Sequence, residues 1–249
     1  MRIYLSPESI EKKNSIELPP DKSRHAVSVM RCKTGDDLTV FDGCGKSYLA
    51  RISWIQKKVV SIDIIEELVS VTESPLNLVL CQGILKGEKM DLVVQKATEL
   101  GINKIVPLIS ARCQVRETRR TQRWRKITEE ASEQCGRSVV PEISKPQAFG
   151  DFLETIIPSS PPKGIIFWEK GGVAPDEALE ALGMPIRGSL FLCIGPEGGF
   201  EPSEVDMAEA IGFVRATLGM RILRADTAAV AAVALIQFLA GKNKTADKV

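Results

Sequence analysis

The chain has a single histidine, His25, and its cysteines at 32, 44, 81, 113, 135 and 193 form no Cys-x-x-Cys pair. Metal-ligand spacing is therefore missing, and no metal is expected. A disulfide framework is not expected in a chain of 249 residues, and free thiols fit a reducing cytoplasm. Charge of one sign is not in excess either, since 33 basic side chains stand against 32 acidic ones. That balance leaves nucleic acid open, because binding depends on where the charge sits. Even the apolar stretch 228–240 is too short to span a bilayer, so no membrane is expected. The opening Met1-Arg2-Ile3-Tyr4-Leu5-Ser6-Pro7 is too poor in apolar residues for a signal peptide, and a cytoplasmic location is expected. The usual nucleotide fingerprints are missing too. Gly43-Cys44-Gly45-Lys46-Ser47 imitates half of a phosphate loop, but position 40, where the first glycine belongs, is Val40, and 48–52 alternates like a strand. A hairpin turn is expected there, and ATP or GTP is excluded. The sequence holds no internal repeat and no low-complexity tract.

What is present changes character near residue 72. Before it, 37–41, 47–54 and 59–65 are β-branched or alternating runs separated by turn residues, with one helical piece over 21–31 and Asp21 as its expected N-cap. A small β-barrel over 1–71 is the economical reading. Thr72-Glu73-Ser74-Pro75 reads as the linker. From there to 249, strands alternate with helices: strands over 76–81, 104–109, 164–168, 190–194 and 213–218, helices over 88–100, 122–137, 175–182, 202–211 and 226–240. Gly101 and Gly241 are the expected helix stops, with 242–249 a polar, frayed tail. Such alternation implies an α/β domain with a mostly parallel sheet.

Two segments carry the strongest signal. Gly195-Pro196-Glu197-Gly198-Gly199-Phe200 leaves a buried strand and opens onto a helix beginning with Pro202. Three glycines around one proline bend the backbone with few side chains in the way, so a ligand can lie against main-chain groups. Alone this would read as an ordinary strand-to-helix turn. The second segment, Leu218-Gly219-Met220-Arg221-Ile222-Leu223-Arg224-Ala225-Asp226-Thr227-Ala228, ends in a fixed cation just before an alanine-rich helix. Charge is also uneven: Arg112, Arg116, Arg119, Arg120, Arg123, Arg125 and Lys126 face the single acid Glu117. The run reads either as a solvated helix face or as a phosphate-neutralising surface.

Together the two segments resemble the cofactor loops of the SPOUT class of RNA methyltransferases, and within it the ribosomal RNA uridine N3-methyltransferase family. The resemblance extends over nearly the whole chain. His25-Ala26-Val27-Ser28-Val29-Met30-Arg31 and the stretch from Gly35 to Gly43 are similar to that family's PUA-like RNA-binding barrel. Lys96-Ala97-Thr98-Glu99-Leu100-Gly101 and Glu130-Ala131-Ser132-Glu133-Gln134-Cys135-Gly136-Arg137 resemble motifs of its α/β domain. The chain departs from the family at Asp226-Thr227-Ala228, where Glu-Thr-Ala is usual. The resemblance implies a PUA-like barrel followed by a SPOUT α/β domain with a C-terminal trefoil knot. It also implies S-adenosyl-L-methionine as cofactor, a uridine of small-subunit (16S) ribosomal RNA as substrate, and a homodimer.

On that reading the cofactor residues are Leu192, Ile194, Gly195, Pro196, Glu197, Gly198, Gly199, Leu218, Gly219, Ile222, Leu223 and Thr227. The aliphatic ones supply a slot for adenine and the loops supply main-chain groups to read its edge. Methylation at uracil N3 needs the ring to lose a proton, and the charge spreads to its carbonyl oxygens. An arginine aimed at them would stabilise it: Arg224 first, Arg137 second. Gln134 could bond the uracil edge, and Glu99, Glu197 and Asp226 are the carboxylates near the motifs. His25, Arg31, Arg112, Arg116, Arg119, Arg120 and Arg123 are the expected RNA contacts. A non-catalytic ribosome-assembly factor, or a SPOUT enzyme acting on another base or a ribose, stays open as an alternative.

Overall fold

A computed structural model describes residues 1–11, 15–69, 73–157, 162–183 and 185–246, the first of these ranges and the last ending in residues described by their backbone alone. The expected boundary at 71/72, and Thr72 of the expected linker, fall outside the described residues.

The chain divides into two compact units, 1–73 with 129–140, and 74–128 with 141–249. The first contains β1 (Arg2–Tyr4), α1 (Pro7–Glu11), β2 (Ser15–Glu17), α2 (Pro20–Arg24), β3 (Asp37–Phe41), β4 (Ser47–Gln56) and β5 (Val59–Leu68). Its five strands form one sheet in the order β1-β3-β4-β5-β2, parallel only at β1–β3. Inward residues at alternate positions, among them Val40, Ala50, Ile52, Val60 and Ile62, make its core. The helix expected over 21–31 is corrected. Pro20, not Asp21, opens it, since a first-turn proline loses no hydrogen bond. After Arg24 it widens to a π-helical turn, His25–Val29, in which the Met30 amide donates to the His25 carbonyl. The loop at Gly43-Cys44-Gly45 is a turn: both glycines have positive φ, and Asp42 Oδ1 accepts from the amides of Cys44 and Lys46 at 2.7 and 3.0 Å.

Residues 129–140 belong to this first unit because charged groups anchor them there. Glu73 takes a bond from Arg137 Nη2 at 2.6 Å and from the amides of Ser138 and Val139 at 3.1 Å each. Arg2 donates to the Arg137 carbonyl at 3.0 Å, and Glu133 accepts from the Tyr4 amide and from Lys22.

The second unit holds β6 (Asn77–Gly83), α3 (Lys89–Glu99), β7 (Lys104–Ile109), the start of α4 (Thr121–Cys135), β8 (Glu142–Ile143), β9 (Gln147–Ala148) and α5 (Phe149–Ile156). It continues with β10 (Lys163–Phe167), α6 (Pro175–Ala181), β11 (Ser189–Ile194), α7 (Pro202–Ala210), β12 (Val214–Ala216) and α8 (Ala225–Ala246). The sheet is parallel, in the order β12-β10-β11-β6-β7-β8, with β9 also on β7. Period-two alternation sends Leu78, Leu80 and Leu192 to one face under α3, α6 and α8. Val79, Cys81 and Cys193 go to the other face under α5 and α7. The expectation that Gly241 stops the last helix is also corrected: α8 continues to Ala246, and 247–249 fall outside the described residues. Glycine weakens a helix by about 1 kcal/mol without ending it, and Gly241 does not take the left-handed backbone of a stop.

Candidate functional site

The carboxyl ends of β10, β11 and β12 lie side by side, and each runs into a loop. Ligands of open α/β sheets bind at such strand ends. Here the loops enclose a cavity of about 430 Å³, in the range of ligand sites. Its lining brings together Ile194, Gly195, Pro196, Glu197, Gly198, Gly199, Leu218, Gly219, Ile222, Leu223 and Arg224 of the expected residues. Lys89, Phe167, Trp168, Glu169, Phe200, Thr217, Arg221, Ala225 and Ala228 complete it.

The glycine loop is held by its surroundings. Glu197 Oε1 accepts from the Lys86 amide at 3.0 Å and lies 3.6 Å from Lys89 Nζ. The Gly198 carbonyl accepts from Arg112 Nη1 at 3.1 Å, and Gly195 from Gln82 Nε2 at 3.2 Å. Buried Glu204 accepts from the amides of Ala111 and Glu201 at 2.8 and 2.9 Å, which ties the neighbouring loop to the start of α7. Gly83 ends β6 against this loop: a Cβ there would stand 2.5 Å from the Pro196 nitrogen. Gly199 has φ +71°, a backbone that favours glycine.

The charges divide into engaged and free ones. Glu197 and Lys89 satisfy each other. Arg224 and Glu169 are exposed, and neither side chain has a hydrogen bond or ion pair among the described residues. The indole of Trp168 is flanked by Arg215 and Lys170, 5.5 and 5.7 Å from its ring centre, and its buried Nε1 has no hydrogen-bond partner among the described residues.

Several expected residues are elsewhere. Leu192 lies in the core one turn of the pleat below Ile194, and Thr227 is exposed on the first turn of α8. Glu99 pairs with Lys96 at 2.8 Å on α3. Gln134 is exposed and Arg137 is 3% exposed, bonded to Glu73, and both belong to the first unit. None of these lines the cavity. Asp226, the third carboxylate considered, is also outside it.

Most of the basic run is knitted into the second unit. Arg116 donates to the Ala111 carbonyl, Arg120 to Gly87 at 2.6 Å, and Arg123 to Asp91 at 2.8 Å, beside the Trp124 indole on the same carboxylate. Arg116, Arg119, Arg120 and Arg123 nevertheless remain exposed. In the first unit His25 and Arg31 are exposed, Arg31 with φ +55°.

The residues that sequence reasoning missed include Lys89, Trp168 and Glu169 in the lining, and Gly83 behind the glycine loop. Only the double glycine at 171–172 hinted at a tight turn after β10. Gly172 does sit against the Ala216 backbone, where a Cβ would come within 2.8 Å.

Comparison with known proteins agrees with this geometry. Residues 72–237 match the model of an RNA methyltransferase domain, and 18–65 that of an RNA methyltransferase PUA domain. A ribosomal RNA small subunit methyltransferase E from Buchnera aphidicola is 33% identical, covering 98% of this chain and 95% of that one. The protein of that name from Bacillus subtilis is 29% identical over 95% and 94%. The crystal structure of the Neisseria gonorrhoeae protein of that name, bound to S-adenosyl methionine, superposes with a TM-score of 0.86 at 36% identity, over 96% and 97% of the two chains. The match in both units, the strand-end cavity and the near-complete mutual coverage lead to one conclusion: this chain belongs to the ribosomal RNA small subunit methyltransferase E family of RNA methyltransferases.

Proposed function

We propose that this enzyme transfers a methyl group from S-adenosylmethionine, held in the strand-end cavity, to N3 of a uridine in small-subunit ribosomal RNA, acting as a cytoplasmic homodimer. One observation carries the reading: the loops 195–199 and 218–224, which the sequence marks independently, wall one cavity, and Arg224 in its lining has no ion pair among the described residues. The residues present suit the cofactor. Ile194, Leu218, Ile222 and Leu223 offer an apolar slot, and two glycines leave main-chain groups open to a ligand edge. When bound, the cofactor supplies an electrophilic methyl group.

The chain's own part is to position the uracil and to stabilise charge. Loss of the N3 proton leaves negative charge on the two neighbouring carbonyl oxygens. Arg224 is the planar, permanently charged donor suited to them. The exposed arginines of 112–123 and the exposed His25 and Arg31 supply cations for RNA phosphates. The homodimer draws support from α8, which buries Ala229, Ala232, Val233 and Ile236 but leaves Leu235 and Phe238 41% and 59% exposed. Apolar side chains of that size on a helix face are what a second chain would cover. Among the described residues no helix is long and apolar enough to cross a membrane.

The test is direct. Purified protein, labelled S-adenosylmethionine and small ribosomal subunits or their naked RNA are incubated, and the nucleosides are resolved by mass spectrometry. Labelled 3-methyluridine is expected. A different methylated nucleoside would reassign the acceptor, and cofactor binding without transfer would point to a non-catalytic assembly factor.

A further inference from the structure

The cavity contains two carboxylates in unequal states. Glu197 is spent on the Lys86 amide and on Lys89. Glu169, just after β10, has its two carboxylate oxygens 3.1 Å from where a Cβ of Gly199 would be. The missing side chain at Gly199 therefore makes room for the carboxylate to lie on the glycine loop. Lys89, Arg221 and Arg224 also line the cavity, yet none pairs with Glu169 among the described residues. The next residue, Lys170, is turned to the Trp168 ring. An exposed anion that has no partner among the described residues and lies against the loop that would bind the cofactor is placed to meet a cation of the ligand.

On the reading given above, the ligand offers two cations, the sulfonium and the α-ammonium of its methionine tail. The sulfonium loses its charge when the methyl group leaves, so a carboxylate beside it would stabilise the ground state more than the transition state and slow transfer. The ammonium keeps its charge throughout and carries hydrogen-bond donors. We propose that Glu169 is the counter-ion of the α-ammonium group of the methionine moiety, and so a binding determinant for the amino-acid end of the cofactor.

The experiment measures dissociation constants by calorimetry for Glu169→Gln and the unaltered protein with three probes: S-adenosylmethionine, S-adenosylhomocysteine and 5′-methylthioadenosine. The first two carry the ammonium, only the first carries the sulfonium, and the third has neither. Loss of one charge-assisted hydrogen bond should weaken the first two equally, by about tenfold, and leave the third unchanged. In turnover the loss should appear in the KM for cofactor. Weakening of S-adenosylmethionine alone would assign Glu169 to the sulfonium and overturn the proposal. Equal weakening of all three would make its role structural, and a fall in kcat with unchanged affinities would make it a proton acceptor. Either result also overturns the proposal. Failure of the unaltered protein to bind any probe would instead refute the cofactor reading itself.

Discussion

Gly83 offers the sharpest test of how the cavity is held open. It ends β6, and a methyl group on it would stand 2.5 Å from the Pro196 nitrogen, 2.6 Å from Pro196 Cδ and 2.9 Å from the Gly195 carbonyl carbon. Two of these atoms are backbone and the third is in a ring, so no side chain can rotate away. To reach ordinary contact at about 3.4 Å, the strand end and the loop must separate by about 0.9 Å, and overpacking of this kind costs roughly 1–3 kcal/mol. In Gly83→Ala the loop relieves that strain by moving away from its binding position. Ligand binding must restore the position, so the same 1–3 kcal/mol reappears as a loss of about 5–150-fold in cofactor affinity. Turnover should fall further, since a displacement near 1 Å costs on the order of 100-fold in rate. Calorimetry with S-adenosylhomocysteine, which needs no turnover, measures the first quantity. Gly150→Ala is the control: its added methyl would meet only Met207 Cε at 3.6 Å, and affinity should be unaltered. A Gly83→Ala protein that binds the ligand as tightly as the unaltered one would refute the reasoning.

Gly199→Val should remain folded yet lose cofactor binding, because the branched side chain would meet the Glu169 carboxylate and φ +71° disfavours it; retained affinity in calorimetry would contradict the site. Arg224→Lys should cut kcat much more than cofactor affinity, since lysine keeps the charge and loses the planar fork; equal losses would make Arg224 a cofactor-binding group and not the stabiliser of charge on the uracil. Glu73→Gln removes the carboxylate that accepts from the buried Arg137 guanidinium and should cost about 1–3 kcal/mol in urea unfolding, part of it recovered by adding Arg137→Met. If the proposed homodimer forms through α8, Phe238→Glu with Leu235→Glu should give a monomer in light scattering, and a dimeric mass for this variant would remove α8 from the interface.

Local signals made much of the fold legible. The period of apolar residues over 88–100, closed by Gly101, marks α3 to within a residue at each end, and Gly101 does take φ +89°. The glycines at 195–199 marked their loop because a run of strand residues stops there and a proline restarts the chain as a helix. Glu169 and Lys89 carry no such mark: a charged residue after a strand or at a helix start is what any surface offers, and only the fold brings them to the cavity. Gly83 reads as an ordinary strand end, since its neighbour is Pro196, more than a hundred residues on. In the sequence Arg137 is a cation inside a family-like motif, but in the fold it pairs with Glu73, 64 positions away, and a buried ion pair of that span has no periodic signature. Chain threading, on which a knot depends, leaves no trace in hydrophobic periodicity either.

The grouping of 129–140 with the N-terminal strands bears on how the chain is made. Residues 1–73 leave the ribosome early, but Lys22 and the Tyr4 amide have no carboxylate to meet until Glu133 emerges, and Glu73 has no guanidinium until Arg137 does. Synthesis runs at about 5–20 residues per second, so the first unit waits several seconds in incomplete form while β6, α3 and β7 are being made. The two units are therefore interleaved in biosynthetic order. The first unit has all its residues once position 140 emerges, while the second still lacks everything from 141 onward, and a nascent chain stalled between 73 and 129 would leave neither unit finished.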